Sequence, residues 1–232
     1  MHYPFSRRAV LLGLAASAGA ALSAPRHAFA SLDGKPFSFL TETEARLLAV
    51  LCDTLIPADD YPSASEAGVV DFIDLQMVGP YGRGHGLYMK GPFFDGTPEQ
   101  GYQLPLLPSE LIRAGLAGLE RAESGFALME QPRRDEIVTA MSEGEMDLGD
   151  APSKAFFDEV WTLTNQGYFA DPIYGGNADY AGWKMVGFPG AHAYYTSFVN
   201  KHNRRYPQPP MGINHAPGGN GDLPAAPIRK EP

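Results

Sequence analysis

The sequence predicts a small all-α domain of five or six helices, with two long loops rich in glycine, proline and aromatic residues and an irregular C-terminal arm. Apolar residues recur at intervals of three and four in successive segments, and no strand pattern of consequence appears. The chain also holds 26 glycines and 21 prolines in 232 residues, an excess typical of long irregular connections. We expect a signal segment at 1–30, a helical domain at 31–206 and a Pro/Gly-rich arm at 207–232.

The N-terminal segment is typical of an export signal. Arg7 and Arg8 precede an apolar, alanine- and glycine-rich run, and Ala28 and Ala30 match an A-x-A cleavage site. The arginine pair predicts a twin-arginine signal, which exports proteins that have already folded in the cytoplasm. An uncleaved membrane anchor is the alternative, although the apolar run of 16 residues is short for a span.

Charge and cysteine content restrict the possible partners and bonds. Removal of the signal takes three arginines with it, so the net charge changes from −9 to −12. An acidic chain argues against nucleic acid and against direct binding to anionic lipid, so membrane association is expected only through a complex. Cys52, the only cysteine, excludes an internal disulfide. Its apolar helical surroundings predict a buried, inert thiol rather than an intermolecular bond or a reactive group.

The first helix has the clearest start and end. Thr41 and Glu44 form a capping box, and Leu40 is placed to pack on Ala45. Pro57 stops the helix because proline lacks the backbone N–H that a helix interior requires.

Four further helices follow. Ser63 and the glutamate three residues later suggest a second capping box, and Ser109 is the predicted N-cap of the third helix. The fourth helix has Pro132 in its first turn, and the fifth is the segment SKAFFDEVWTLTNQGYF at 153–169. The predicted inward face of the fifth helix consists of Phe157, Val160, Trp161 and Thr164, widened by Phe156 and Leu163. A short sixth helix is expected within 191–200.

Five common catalytic and cofactor motifs are absent from the sequence. It has no C-x-x-C-H haem attachment motif, no dinucleotide-binding glycine motif after a strand, and no H-E-x-x-H, G-x-S-x-G or P-loop motif. Asp171, Asn177 and Asp179 are oxygen ligands of the kind that calcium accepts. The same residue types beside glycine also form turns and helix caps, and turn formation is the favoured interpretation.

Aromatic residues are concentrated near the C-terminus of the helical domain. Ten of the 26 aromatic residues lie between Tyr168 and Tyr206. Aromatic side chains held by rigid glycine turns suit protein interfaces, and they also suit a cap that folds back onto the helical core. The sequence leaves open which rings face inward.

Three segments resemble a known family. The stretch from Thr164 to Gly190, which contains G-Y-F-x-D-P-x-Y-G-G-N-x-D-x-x-G-W and G-F-P-G, resembles the signature of the gluconate 2-dehydrogenase subunit 3 family. The segments GPFFDGTPEQGYQ at 91–103 and LTETEARLLAVLCDTLIPAD at 40–59 resemble further blocks of it.

The resemblance implies a non-catalytic small, or gamma, subunit of a periplasmic, membrane-associated dehydrogenase complex. It implies FAD in a large flavoprotein subunit that oxidises the alcohol, and haem c in a multihaem cytochrome c subunit that accepts the electrons. The resemblance further implies that the small subunit escorts the flavoprotein through export and stabilises it. No catalytic, cofactor-binding or metal-binding residue is therefore expected in this chain, and gluconate is the default substrate of the complex.

The two long loops, at 79–108 and 167–190, are expected to contact the large subunit, with Trp183 as a binding hot spot. The predicted interface residues are Phe93, Phe94, Tyr102, Tyr168, Tyr174, Asn177, Tyr180, Trp183 and Phe188. The rival hypotheses are a free-standing periplasmic enzyme that uses a metal held by Asp171, Asn177 and Asp179, and a small-sugar-binding module.

Overall fold

Helices dominate the fold. The computed structural model describes Leu32 and residues 34–94, 96–192, 195–204 and 206–213, so Arg7, Arg8, Ala28, Ala30 and most of the predicted C-terminal arm lie outside the described residues. The described part contains six α-helices: α1 Glu42–Leu55, α2 Val69–Val78, α3 Pro108–Ala122, α4 Gln131–Glu143, α5 Ser153–Phe169 and α6 Ala181–Val186. The strands β1 Asp147–Leu148 and β2 Ala151–Pro152 form a small antiparallel hairpin before α5. The predicted all-α class is confirmed, and the hairpin was not predicted.

Helix α5 lies at the centre of the bundle and packs against the other five helices. Phe156 and Leu163 are fully buried, whereas the Trp161 side chain is 44% exposed and stacks on the partly buried Phe157. The predicted inward face was therefore wrong on the Phe157–Trp161 side. Gly115 of α3 explains why Phe156 faces inward. It has no side chain and lies directly against the Phe156 ring, which leaves room for that ring.

Local capping signals determine where α1 begins. The Thr41 hydroxyl accepts a hydrogen bond from the Glu44 backbone, and the Glu44 carboxylate accepts one from the Thr41 backbone at 2.8 Å. The helix ends at Leu55, before Pro57. The predicted boundaries of α5, and Pro132 in the first turn of α4, are also confirmed.

The predicted start of α2 needs a correction. Ser63 and Glu66 do form the reciprocal bonds of a capping box, but these close a turn, and the helix begins only at Val69. Asp53 of α1 accepts a 2.7 Å hydrogen bond from the Ser65 backbone N–H and another from its hydroxyl. Gly68, the N-cap with a left-handed backbone (φ 80°), separates this anchored turn from the helix that follows.

Two further helix predictions were wrong. Helix α3 starts at Pro108 after the N-cap Leu107, whose backbone N–H donates to the Glu110 carboxylate at 2.8 Å; Ser109 lies inside the helix. No α-helix forms in the described part of 191–200, which contains only the 3₁₀ turn Thr196–Phe198. The Tyr195 hydroxyl bonds to the backbone of residues 190 and 192, and these bonds favour a turn.

A buried carboxylate connects the chain before α1 to α2. Asp74 is inaccessible to solvent and accepts backbone hydrogen bonds from Ser38 at 2.8 Å and from Phe39 and Leu40 at 2.9 Å each. Three N–H groups that precede the helix are satisfied in this way by one side chain. This arrangement fixes the entry of the chain into the bundle.

A second buried carboxylate anchors the loop 79–107. The Tyr81 hydroxyl donates to Glu159 of α5 at 2.6 Å, and the Tyr102 hydroxyl donates to the Leu106 carbonyl at 2.6 Å. Burial raises the pKa of the Glu159 carboxyl, and the hydrogen bond from Tyr81 partly opposes this increase. Burial also raises the pKa of the Tyr81 hydroxyl, which keeps it protonated as a donor.

Replacing Glu159 with glutamine is expected to make the protein more stable than the parent at pH 7. Because the folded-state pKa of Glu159 lies above its ordinary value, the parent loses stability as the pH rises from the ordinary value through the folded value. The glutamine carbonyl still accepts from Tyr81 and carries no charge. Urea unfolding between about pH 4 and pH 7 checks this, since the advantage of the variant should shrink toward the acidic end.

Glu143→Gln is the control, because this glutamate is exposed at the end of α4. A difference between Glu159→Gln and the parent that stays constant over the whole pH range would contradict the prediction.

The single cysteine is buried, as expected. Cys52 is inaccessible to solvent, and its sulfur accepts a hydrogen bond from the Thr164 hydroxyl at 3.3 Å. Burial raises the pKa of the thiol to about 12, so the nucleophilic thiolate does not form near neutral pH.

Candidate functional site

The residues 167–190, called the platform below, fold against the C-terminal end of α5. They contain the last turn of that helix, the 3₁₀ turns Pro172–Tyr174 and Ala178–Tyr180, and helix α6. The stretch that the sequence presents as one long loop is therefore largely helical, and its turns are short.

Two glycines bring the platform backbone into direct contact with α5. A Cβ at Gly176 would lie 2.0 Å from the Gly167 carbonyl oxygen, and one at Gly182 would lie 2.2 Å from the Tyr168 carbonyl oxygen. No side chain fits at these distances. The Y-G-G-N and G-W elements of the motif are thus explained by close backbone approach.

Asn177 joins the two halves of the platform. Its side chain is fully buried, its Nδ2 donates to the Ala170 carbonyl at 2.8 Å, and its Oδ1 accepts from the Gly182 N–H at 2.9 Å. Its backbone has the left-handed conformation (φ 51°), which asparagine tolerates better than most residues.

The three candidate metal ligands have different surroundings. Asp171 is buried and accepts from the Ile173 N–H at 3.1 Å and from the Ile213 N–H at 2.8 Å, and Asn177 uses both amide atoms as described above. Asp179 is exposed. These bonds favour turn formation for Asp171 and Asn177. In the described part of the chain, no group of three His, Cys, Asp or Glu residues could hold a metal.

Trp183 lies at the centre of the platform. It is 6% exposed, its indole Nε1 donates to the Phe169 carbonyl at 2.7 Å, and its ring lies between those of Tyr180 and Phe188. The centroid separations are 5.4 Å for the stacked Tyr180 and 5.0 Å for the edge-on Phe188. The three rings form a compact aromatic stack on the end of α5.

The comparison with protein families identifies the chain. A model for gluconate 2-dehydrogenase subunit 3 matches residues 42–190, from the first residue of α1 to the last residue of the platform. The chain belongs to the gluconate 2-dehydrogenase subunit 3 family. No curated protein and no solved structure matches it significantly.

As a subunit 3 protein, the chain has an accessory role in a dehydrogenase complex. Association with a membrane fits such a complex. Within the described ranges, no helix combines the length and apolar character that a membrane span requires.

The predicted interface residues of this subunit 3 protein differ in burial. Tyr168, Asn177 and Trp183 are buried, and the Tyr168 hydroxyl donates to the Pro62 carbonyl at 2.8 Å. Tyr102 and Tyr180 are partly buried. The side chains that remain exposed are those of Phe93, Phe94, Tyr174 and Phe188. The exposed group is the part of the predicted set that a partner can contact directly.

Sequence reasoning missed Met185 and Val186. Both follow the buried Trp183 on α6 and are exposed, at 37% and 59%. The sequence did contain a signal for them. Both residues lie between the two glycine turns of the motif, two and three residues after Trp183, whose ring faces inward.

The beginning of the predicted arm is attached to the platform. The Met211 N–H donates to the Pro189 carbonyl at 3.1 Å, and the Met211 carbonyl accepts from the Ala191 N–H at 2.6 Å. The next two N–H groups donate to the Tyr180 hydroxyl, at 3.1 Å, and to the Asp171 carboxylate. Residues 209–213, called the arm segment below, are therefore ordered by the platform.

A second aromatic cluster lies beside the arm segment. The rings of Phe198, Tyr195 and His192 surround Tyr206 at centroid separations of 4.9, 5.2 and 5.0 Å. His192 Nε2 is 3.0 Å from the Pro209 carbonyl. A groove of about 540 Å³ separates Tyr180 from His192 and is closed along one side by the arm segment.

Proposed function

We propose that this protein is the non-catalytic small subunit of a periplasmic, membrane-associated, FAD-dependent dehydrogenase complex of the gluconate 2-dehydrogenase type. It escorts the flavoprotein subunit through twin-arginine export and stabilises it. FAD in the large subunit oxidises the sugar acid, and a multihaem cytochrome c subunit receives the electrons.

The observation that carries this proposal is the division of the platform into an inner polar side and an outer apolar side. Asp171, Asn177 and the Trp183 indole direct their polar atoms into the platform. Tyr174 and Phe188 present apolar surface outward. A rigid surface with aromatic side chains is suited to binding another protein.

Co-expression of the full chain with the flavoprotein subunit tests the escort role. We expect Arg7→Lys together with Arg8→Lys to retain the flavoprotein in the cytoplasm, because under the proposal the small subunit alone carries the export signal. Flavin fluorescence and dye-linked dehydrogenase activity in the separated compartments measure the result. Arg26→Lys is the matched control, since it lies in the same segment outside the arginine pair. Normal export of the flavoprotein with both arginines replaced would contradict the escort role.

The groove between Tyr180 and His192 favours one alternative, a small-sugar-binding module. Its walls combine these two rings with the Asp179 carboxylate and the Gln208 amide, which are groups that can contact a polyol. Calorimetry with gluconate distinguishes the two functions. The accessory role predicts no heat of binding on the isolated chain, and saturable binding would favour the module.

A further inference from the structure

Charge is distributed unevenly along the chain. Residues 110–159 contain twelve Asp or Glu and five Lys or Arg, whereas residues 160–213 contain two acids and four bases. Of those two acids, Asp171 is buried and bonded to backbone N–H groups. Residues 160–213 are therefore slightly basic in composition, although the whole protein is acidic and the acids Asp59 and Glu66 lie near Tyr168 of the platform.

Three exposed cations in this stretch have no carboxylate partner within the described ranges. No ion pair joins Lys184, Lys201 or Arg204 to an acid there, a property they share with Arg121 on α3, whereas Arg113, Arg133 and Lys154 are paired. The Lys201 ammonium lies over the Phe198 ring at 4.7 Å from its centroid. No carboxylate of the described residues forms an ion pair with these three positive charges.

Exposed apolar side chains belong to the same part of the chain, residues 174–213, as these cations. Each is more than one third exposed, and together they comprise Tyr174, Met185, Val186, Phe188, Val199 and Ile213. Phe188 and Tyr206 line one shallow groove with Pro210, so the platform stack and the second aromatic cluster meet across the arm segment. We call the six apolar residues with Lys184, Lys201 and Arg204 the docking face.

The arrangement is also preorganised. Four hydrogen bonds from residues 211–213 hold the arm segment in place, and the close glycine contacts with α5 hold the platform. Little conformational entropy is then lost when a partner binds, which favours stable association.

We infer that the docking face binds a protein surface with an apolar centre and an acidic rim, and that the large flavoprotein subunit carries this surface. The identity of the partner rests on the proposed function. An apolar centre surrounded by charge is the usual composition of a protein interface, and opposite charges steer association and determine its orientation. On a protein of high negative charge, exposed cations without a carboxylate partner among the described residues favour the approach of an acidic surface.

Charge reversal at the docking face tests the inference. The tagged full chain is co-expressed with the flavoprotein subunit, and the retained flavin is measured over a range of salt concentrations. The variant combines Lys184→Glu, Lys201→Glu and Arg204→Glu, and we expect about tenfold less retained flavoprotein than with the parent. Retention by the parent should weaken as salt increases, because exposed charges are screened.

Two further variants serve as controls. Arg46→Glu, Arg133→Glu and Lys154→Glu change the net charge equally on α1, α4 and α5, away from the docking face, and should leave retention within about twofold of the parent. The neutral set Lys184→Gln, Lys201→Gln and Arg204→Gln should give an intermediate loss of retained flavoprotein. If the charge-reversed chain does not fold, this set provides the same test.

The outcomes separate the two proposals. If the parent chain retains no flavoprotein, the proposed function fails and the inference fails with it. If the parent retains flavoprotein but reversal and neutralisation at the docking face behave like the control set, the inference alone is overturned.

Discussion

Replacing Asp74 with alanine is expected to lower the free energy of unfolding by about 4 kcal/mol. The variant leaves the N–H groups of Ser38, Phe39 and Leu40 without the acceptor that now binds all three. An unsatisfied buried donor costs about 1–3 kcal/mol, and water can reach the N–H groups of the exposed Ser38 and the partly buried Phe39, which offsets part of the total. Urea unfolding followed by circular dichroism measures the loss.

Hydrogen exchange locates the effect. The amides of residues 38–40 should exchange much faster in Asp74→Ala than in the parent, because their hydrogen bonds end at the removed carboxylate. Asp158→Ala is the control, since it removes an exposed carboxylate from α5 that pairs only with Lys154. Equal stability losses in the two variants would show that Asp74 has no special role in the entry of the chain.

Trp183→Ala is expected to cost about 3–5 kcal/mol of stability. The substitution removes a buried ring from between Tyr180 and Phe188, and it leaves the Phe169 carbonyl without its indole donor. The platform should then lose its compact packing on α5. Thermal unfolding and near-ultraviolet circular dichroism of the chain measure both effects.

Trp161→Ala is the matched control for Trp183→Ala. The chain has only these two tryptophans, and Trp161 is 44% exposed on the outer side of α5. Its removal should cost about 1 kcal/mol, because far less apolar surface leaves a buried environment.

The Trp183 variant also distinguishes a hot spot from a core residue. A hot spot would lose about 2 kcal/mol or more of assembly energy while the free subunit stays folded. The burial of the ring predicts the reverse, in which the free subunit is destabilised and the fraction that remains folded still assembles. A stable free variant that cannot assemble would contradict the buried role.

Local sequence signals predicted the elements whose ends depend on neighbouring residues. The Thr41–Glu44 box was identified because it acts within one turn of helix. The predicted bounds of α5 also match the structure. The family resemblance, carried by 164–190, 91–103 and 40–59, was likewise readable from the chain and is confirmed by the match over 42–190.

Predictions of helix starts and of inward-facing residues failed where the outcome depends on contacts with residues far away in the sequence. Asp53 anchors Ser65 from α1, and the left-handed Gly68 separates the turn at 63–68 from α2. The inward face of α5 depends on Gly115, which lies 41 residues before the Phe156 ring that it accommodates. Hydrophobic spacing alone allows several overlapping faces on one helix, and only the neighbouring helices select among them.

The sequence by itself determined the helical class, the family and the glycine–aromatic composition of the platform, because these depend on local propensity and on motif order. The tertiary structure alone decided which rings face inward, which acids are buried and how the arm segment attaches. Those outcomes depend on groups brought together from distant parts of the chain. Asp74 with residues 38–40, and Asp171 with Ile213, are bonded pairs that no local pattern indicates.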